Sequence, residues 1–267
     1  GEHVYGVDAY GELRCLRLSD GERVWTDLTA VPSARWATIH MVQNGEDTWM
    51  LNERGELLTE HNVWRPSIYP CQEPLANVND FAITDLENDG VPDIVVIVCG
   101  YEYYPSRLAV FHYRDSTLRE VKTYWNPGYL TGLYIDDVDG DGLPDIVCKG
   151  ANNDFKRVPA FEVAHNPAAI MLLKGTAISG QAPPYLGTAQ QGSQIWYKYT
   201  TTTKENHKLA SILEVQFVGE KRKEIRVKLN DSCYFYLDAE GNIIERFFGD
   251  QCTGASRLHA VSNEKLW

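Results

Sequence analysis

Asp137-Val138-Asp139-Gly140-Asp141-Gly142-Leu143-Pro144-Asp145 decides how this chain is read, because its pattern occurs once before, as Asp85-Leu86-Glu87-Asn88-Asp89-Gly90-Val91-Pro92-Asp93. Both copies have the form D-x-[DE]-x-D-G-x-P-D. Four carboxylates packed into nine residues repel one another unless a hard cation sits among them. Alternate carboxylates around a turn that glycine permits are how a short loop wraps Ca²⁺. The first expectation is a pair of calcium loops.

An EF-hand loop would need a bidentate Glu at position 12 and a helix on either side. That position holds Val96 in the first copy and Cys148 in the second. Each loop runs directly into an apolar segment, Ile94-Val95-Val96-Ile97-Val98 or Ile146-Val147-Cys148, and such runs suit a buried strand rather than a helix. The loops therefore connect strands. On these residues the pair resembles the FG-GAP/VCBS repeat family, the integrin-type propeller repeats, whose calcium loop reads D-x-D-x-D-G-x-x-D before an apolar strand. The second copy matches at every side-chain ligand position, and the first departs at Glu87. The resemblance implies one Ca²⁺ per loop. Asp85, Glu87, Asp89 and Asp93 with the Val91 carbonyl would hold the first ion; Asp137, Asp139, Asp141 and Asp145 with the Leu143 carbonyl would hold the second.

Three further segments share a strand, a turn with glycine at its fourth position and another strand: Val4 to Leu13, Thr48 to Leu57 and Tyr234 to Ile243. Asp8, Asn52 and Asp238 open the turns, and Gly11, Gly55 and Gly241 take the positive-φ position, which is hairpin chemistry. An aromatic comes after each: Trp25, Trp64 and Phe247. The first segment, through Trp25, resembles the repeat of pyrroloquinoline-quinone-type propellers, which non-enzymatic propellers also carry. The spacing of Gly11 from Gly55 and of Asp85 from Asp137 suits a four-stranded propeller blade of about 40–50 residues.

The expected fold is one all-β domain over 1–267, a five-bladed propeller with blades at 1–33, 34–75, 76–128, 129–205 and 206–250 and a closing segment at 251–267. Arg257 to Val261 reads as a short strand without a blade of its own. Its expected place is beside the strand near Val4, which would close the ring and hide two sheet edges. The fifth segment aligns with the calcium blades but has lost the ligands, and Lys221-Arg222-Lys223 stands in their place. Those residues read as a solvated turn or as a tethered cation that does part of the ion's work.

Composition bounds the partners. The 267 residues are 43% hydrophobic and carry 25 basic against 37 acidic side chains, a net charge of −12. With no Lys/Arg stripe, nucleic acid is not an expected partner. The longest apolar runs fall far short of the roughly 20 residues of a membrane helix, so no transmembrane segment is expected. Six cysteines lack metal-ligand spacing; they read either as buried thiols or as disulfides, with Cys233 and Cys252 the first candidate pair. Low-millimolar calcium suits loops of this type, which favours an extracellular, cell-surface or periplasmic setting.

Seven histidines are scattered without an H-E-x-x-H or paired-ligand spacing, and no G-x-S-x-G elbow or phosphate-binding glycine loop occurs. No catalytic residue is assigned. The expected role is a non-catalytic binding or assembly module that takes a protein or glycan ligand at a cell surface, or self-assembles. An exported carbohydrate-active enzyme is the alternative, since carboxylate pairs from different blades can cleave glycosides. The ectodomain of a larger sensor or scaffold is a third reading.

Overall fold

The structure is a computed structural model. It describes residues 3–7, 13–17, 23–25, 38–44, 47–52, 56–59, 62–64, 77–100, 105–114, 117–151, 168–182, 194–201, 212, 214–219, 223–230, 233–248 and 257–260.

Strands succeed one another in hairpin order, and each hairpin adds the next strand antiparallel to the last. The first sheet holds β1 (His3–Val7), β2 (Leu13–Arg17) and β3 (Arg23–Trp25). The second holds β4 (Thr38–Asn44), β5 (Asp47–Asn52), β6 (Leu57–Leu58) and β7 (Val63–Trp64). The third holds β8 (Asn77–Thr84), β9 (Asp93–Cys99), β10 (Ser106–Arg114) and β11 (Thr117–Asn126). In the fourth, β12 (Leu130–Asp136), β13 (Asp145–Ala151), β14 (Ala168–Lys174) and β15 (Gln194–Thr201) run in order. The fifth is β16 (Glu214–Val218), β17 (Glu224–Asn230), β18 (Cys233–Leu237) and β19 (Ile243–Phe248). Among the described residues a 3-10 turn, Gly175–Ala177, comes after β14. Apart from that turn, no helix occurs among the described residues.

The last strand, β20 (Arg257–Ala260), corrects one expectation. It pairs antiparallel with β15, with Tyr199 opposite His259 and Thr201 opposite Arg257, and so forms the fifth strand of the fourth sheet. It does not lie beside Val4, whose strand pairs with β2 across Leu16. The outer edge of β15 offers unpaired backbone groups to any strand that reaches it, and β20 satisfies them.

Stacking of sheets explains why β9 and β13 are apolar at nearly every position. Side chains alternate faces along a strand. Ile94, Val96 and Val98 pack with Trp49, Leu51 and Leu57 of the second sheet, whereas Val95, Ile97 and Cys99 pack toward Leu133, Ile146 and Cys148 of the fourth. Val147 faces the other way, with Ile170 and Leu172, onto Val215, Ile225, Val227 and Phe235 of the fifth sheet. Sheets two to five are thus layered face to face. A strand with both faces covered needs an unbroken run of Val and Ile, each worth roughly 1.5–3 kcal/mol when fully buried.

The first strands of neighbouring sheets lie side by side, β8 next to both β4 and β12. Asp80 on β8 joins them. One of its oxygens is 2.8 Å from His40 Nδ1, and the other accepts the Leu133 backbone N–H at 2.9 Å. Asn79 adds a 2.7 Å bond from its side-chain amide to the Leu130 carbonyl. The turn expected at Asp238-Ala239-Glu240-Gly241 forms, with Gly241 at φ 79° and its N–H donating to the Asp238 carbonyl. A Cβ at Gly241 would strike the Trp196 ring at 2.7 Å. The turns at Gly11 and Gly55 lie outside the described residues. Cys99 and Cys148 are buried free thiols, so neither takes part in a disulfide. Cys252 lies outside the described residues.

Candidate metal centre

Both acidic loops occupy the same place in consecutive sheets. Residues 85–93 join β8 to β9, and residues 137–145 overlap the hairpin between β12 and β13. Their folding is dictated by carboxylates that accept the loop's own backbone N–H groups. In the first loop Asp85 accepts from Asp89 (3.0 Å) and Gly90 (2.7 Å), Asp89 from Val91 (2.8 Å) and Asp93 from Leu86 (3.0 Å). In the second, Asp137 accepts from Gly140 (2.8 Å) and Gly142 (2.9 Å), Asp139 from Asp141 (3.1 Å), Asp141 from Leu143 (3.0 Å) and Asp145 from Val138 (3.3 Å).

Two devices set the loop shape. Gly90 and Gly142 have φ of 82° and 87°, a left-handed conformation that costs other residues roughly 1–2 kcal/mol. Leu86 and Val138, the second residue of each loop, are fully buried, Leu86 between sheets three and four and Val138 between sheets four and five. The apolar residue pins the loop to the core; the first three carboxylates of each loop stay at the rim, and the last, Asp93 or Asp145, is buried.

The two loops then diverge. In the second, Asp137, Asp139 and Asp145 each offer an oxygen within 4.8 Å of the others. Oxygens bound to one Ca²⁺ at 2.3–2.6 Å lie within about 5 Å of each other, so the spacing fits that ion. Asp145 is fully buried, and its Oδ1 has no hydrogen-bond partner. Burial pushes its carboxyl above the usual range, Asp139 adds to that, and the Lys174 charge and the Val138 N–H oppose it. A buried carboxylate oxygen left without a donor is costly, and a bound cation removes that cost.

Lys174, which no part of the motif suggests, enters the same loop. It ends β14 directly opposite Asp145 in the ladder. Its Nζ lies 2.9 Å from Asp139 Oδ2, 2.6 Å from Asp141 Oδ2 and 3.4 Å from Asp145 Oδ1. Partial burial works against the ammonium, yet hydrogen bonds to Asp141 and Asp139 hold its pKa above the ordinary lysine value. The same Lys174 contact lowers the pKa of Asp141.

In the first loop no three-member group of ligand atoms forms among the described residues. Glu87 instead meets the Lys122 ammonium at 2.5 Å, and Asp93 Oδ1 lies 3.1 Å from His112 Nε2, the residue opposite it on β10. Burial raises the Asp93 pKa, against the Leu86 N–H and the charges of His112 and Lys122. The basic partners His112, Lys122 and Lys174 come from later strands. The signal that finds two of them is register: His112 and Lys174 each stand opposite the ninth residue of a loop. Lys223, from the basic triplet 221–223, pairs with Asp136 at 3.1 Å, next to the second loop.

A family model for an FG-GAP-like repeat matches residues 85–148. No curated protein sequence matches the chain significantly. Among solved structures, the Dos1 propeller aligns over 91% of this chain and 67% of its own, at 9% identity and a TM-score of 0.50. BamB from Moraxella catarrhalis aligns over 93% of this chain, which spans 62% of BamB, at 16% identity and a TM-score of 0.46. Among the described residues no helix is long and apolar enough to cross a membrane. The chain is a β-propeller that carries an FG-GAP-like repeat at residues 85–148, the span that contains both acidic loops.

Proposed function

We infer that this propeller is a calcium-stabilised, non-catalytic binding or assembly module that works outside the cytosol. The observation that carries the calcium reading is the second loop, where three aspartates converge and Oδ1 of the fully buried Asp145 makes no hydrogen bond, with only the Lys174 ammonium near it at 3.4 Å. Asp137, Asp139, Asp141 and Asp145, with the Leu143 carbonyl, hold one ion. Asp85, Glu87, Asp89 and Asp93, with the Val91 carbonyl, hold a second. Bound there, Ca²⁺ neutralises the loop and fixes the turn between the first two strands of its sheet.

The binding role rests on the propeller fold with its FG-GAP-like repeat. Its ligand is a protein or glycan at a cell surface, or a second copy of the chain. Extracellular calcium modules work at about 10⁻⁴–10⁻³ M, a concentration found outside cells or in the periplasm, and this supports the location.

Calorimetric titration of chelator-stripped protein tests the reading. Two Ca²⁺ per chain are expected. At about 100 Kd each site adds roughly 2.7 kcal/mol of stability, so chelation lowers the melting temperature. An isotherm without heat, together with a melting curve that ignores chelator, overturns the calcium reading.

A further inference from the structure

We propose that Lys174 is a built-in competitor for the cation of the second loop, which must be displaced when the metal binds and which sets that loop's affinity below that of its carboxylates alone. This role for Lys174 rests on the calcium reading and adds a regulator to the site.

The carboxylate oxygens of the loop are divided between two tasks. Asp139 Oδ1 and Asp141 Oδ1 accept loop N–H groups, and Asp145 Oδ2 accepts the Val138 N–H. The oxygens left over are Asp139 Oδ2, Asp141 Oδ2 and Asp145 Oδ1, and these are the three that Lys174 Nζ approaches at 2.9, 2.6 and 3.4 Å. The ammonium therefore stands at the point where a central cation would draw its charge. Asp145 Oδ1 remains without a hydrogen bond even so, and a single ammonium thus leaves the cluster unsatisfied. A divalent ion at 2.3–2.6 Å from the same oxygens leaves no room for a second cation, and the two repel.

Lys174 is fixed at its base, while its tip is held only by the carboxylates it contacts. A Cβ at the next residue, Gly175, would stand 2.1 Å from the Pro144 carbonyl oxygen and 2.9 Å from Leu86 Cδ2, so the backbone there is seated against both loops. The side chain is 23% exposed, which leaves a route to solvent without movement of β14. Among the described residues the first loop lacks an equivalent. Across from Asp93 stands His112, and Lys122 engages Glu87 rather than a set of three carboxylates. The competitor thus belongs to the second loop.

The test compares wild type, Lys174→Met and Lys174→Arg by calcium calorimetry. Charge-assisted hydrogen bonds of this kind are strong enough that their removal raises Ca²⁺ affinity at one of the two sites by about tenfold in Lys174→Met. Lys174→Arg, which keeps the charge, stays within a few-fold of wild type. A second measurement uses the wild-type protein: labelling of Lys174 by an amine-reactive reagent, read by mass spectrometry, rises severalfold when Ca²⁺ is added. Calcium binding by wild type with no gain in Lys174→Met, or with labelling of Lys174 unchanged by Ca²⁺, overturns the competitor and leaves the calcium reading intact. Absence of binding in all three proteins overturns both.

Discussion

Asn88 of the first acidic loop donates its side-chain amide to the Gly142 carbonyl of the second at 2.8 Å. The two loops are therefore one structure at the rim of the molecule. Lys122 reinforces the link, since its ammonium reaches both Glu87 in the first loop and the Thr176 carbonyl in the turn after Lys174. Beneath them Leu86 packs close to Gly175.

The backbone at Asn88 separates two contributions. Its φ is 51°, and the matching position of the second loop is Gly140 at 81°. Asn88→Ala and Asn88→Gly both lose the bond to Gly142, but alanine alone retains the left-handed strain. Urea unfolding should find the Ala variant less stable than the Gly variant by about 1 kcal/mol. Equal midpoints would mean that strain at this turn contributes nothing.

The loops should differ in what they lose on mutation. Asp141→Ala removes an expected ligand from the loop in which Asp137, Asp139 and Asp145 converge, together with the acceptor of the Leu143 N–H. Glu87→Ala removes a side chain from the loop in which no three-member group of ligand atoms forms among the described residues. In saturating calcium Asp141→Ala should therefore lower stability by up to roughly 2.7 kcal/mol, the contribution of one site, and Glu87→Ala by less. Equal melting shifts in the two variants would remove the ranking.

Much of this architecture is legible in the sequence, and the exceptions have a common cause. The β-branched runs at Ile94–Val98 and Ile146–Cys148 announce strands covered on both faces, because only such strands dispense with polar alternation. The turn at Asp238–Gly241 is legible because its chemistry is local. Lys174 is not legible: it reaches Asp139 and Asp141 only through the pairing of β13 with β14, across a long intervening segment. Nor is the partner of β20, since a short strand carries nothing that selects one open edge over another.

Alkaline pH should weaken the fold through its buried thiols. Burial pushes Cys99 from its ordinary 9.0 up to about 11, and Cys148, fully buried between sheets, further still. A raised folded pKa means that the stabilising contribution is complete below pH 9, where thiols are protonated in both states. It is lost as pH climbs from 9 toward the folded values, because the unfolded chain releases its protons first. A shift of the size at Cys99 corresponds to roughly 2–3 kcal/mol. Urea midpoints should fall between pH 9 and about pH 11, the span from the ordinary to the folded value of Cys99, and the slope should flatten in a Cys99→Ala, Cys148→Ala protein. A midpoint that stays level across that range contradicts the assignment.

The pairing of β20 with β15 fixes which part of the molecule depends on the last strand. Lys198, Tyr199, Thr200 and Thr201 stand opposite Ala260, His259, Leu258 and Arg257. Deleting residues 255–267 would bare the edge of β15, leaving its backbone groups to water or to another molecule. Hydrogen exchange should then speed up at 198–201 and leave 3–7 and 13–17 unchanged, and the truncated protein should associate more readily through the open edge. The opposite pattern, with protection lost around Val4 and kept at Tyr199, would return the last strand to the first sheet and restore closure of the ring through the two ends of this chain.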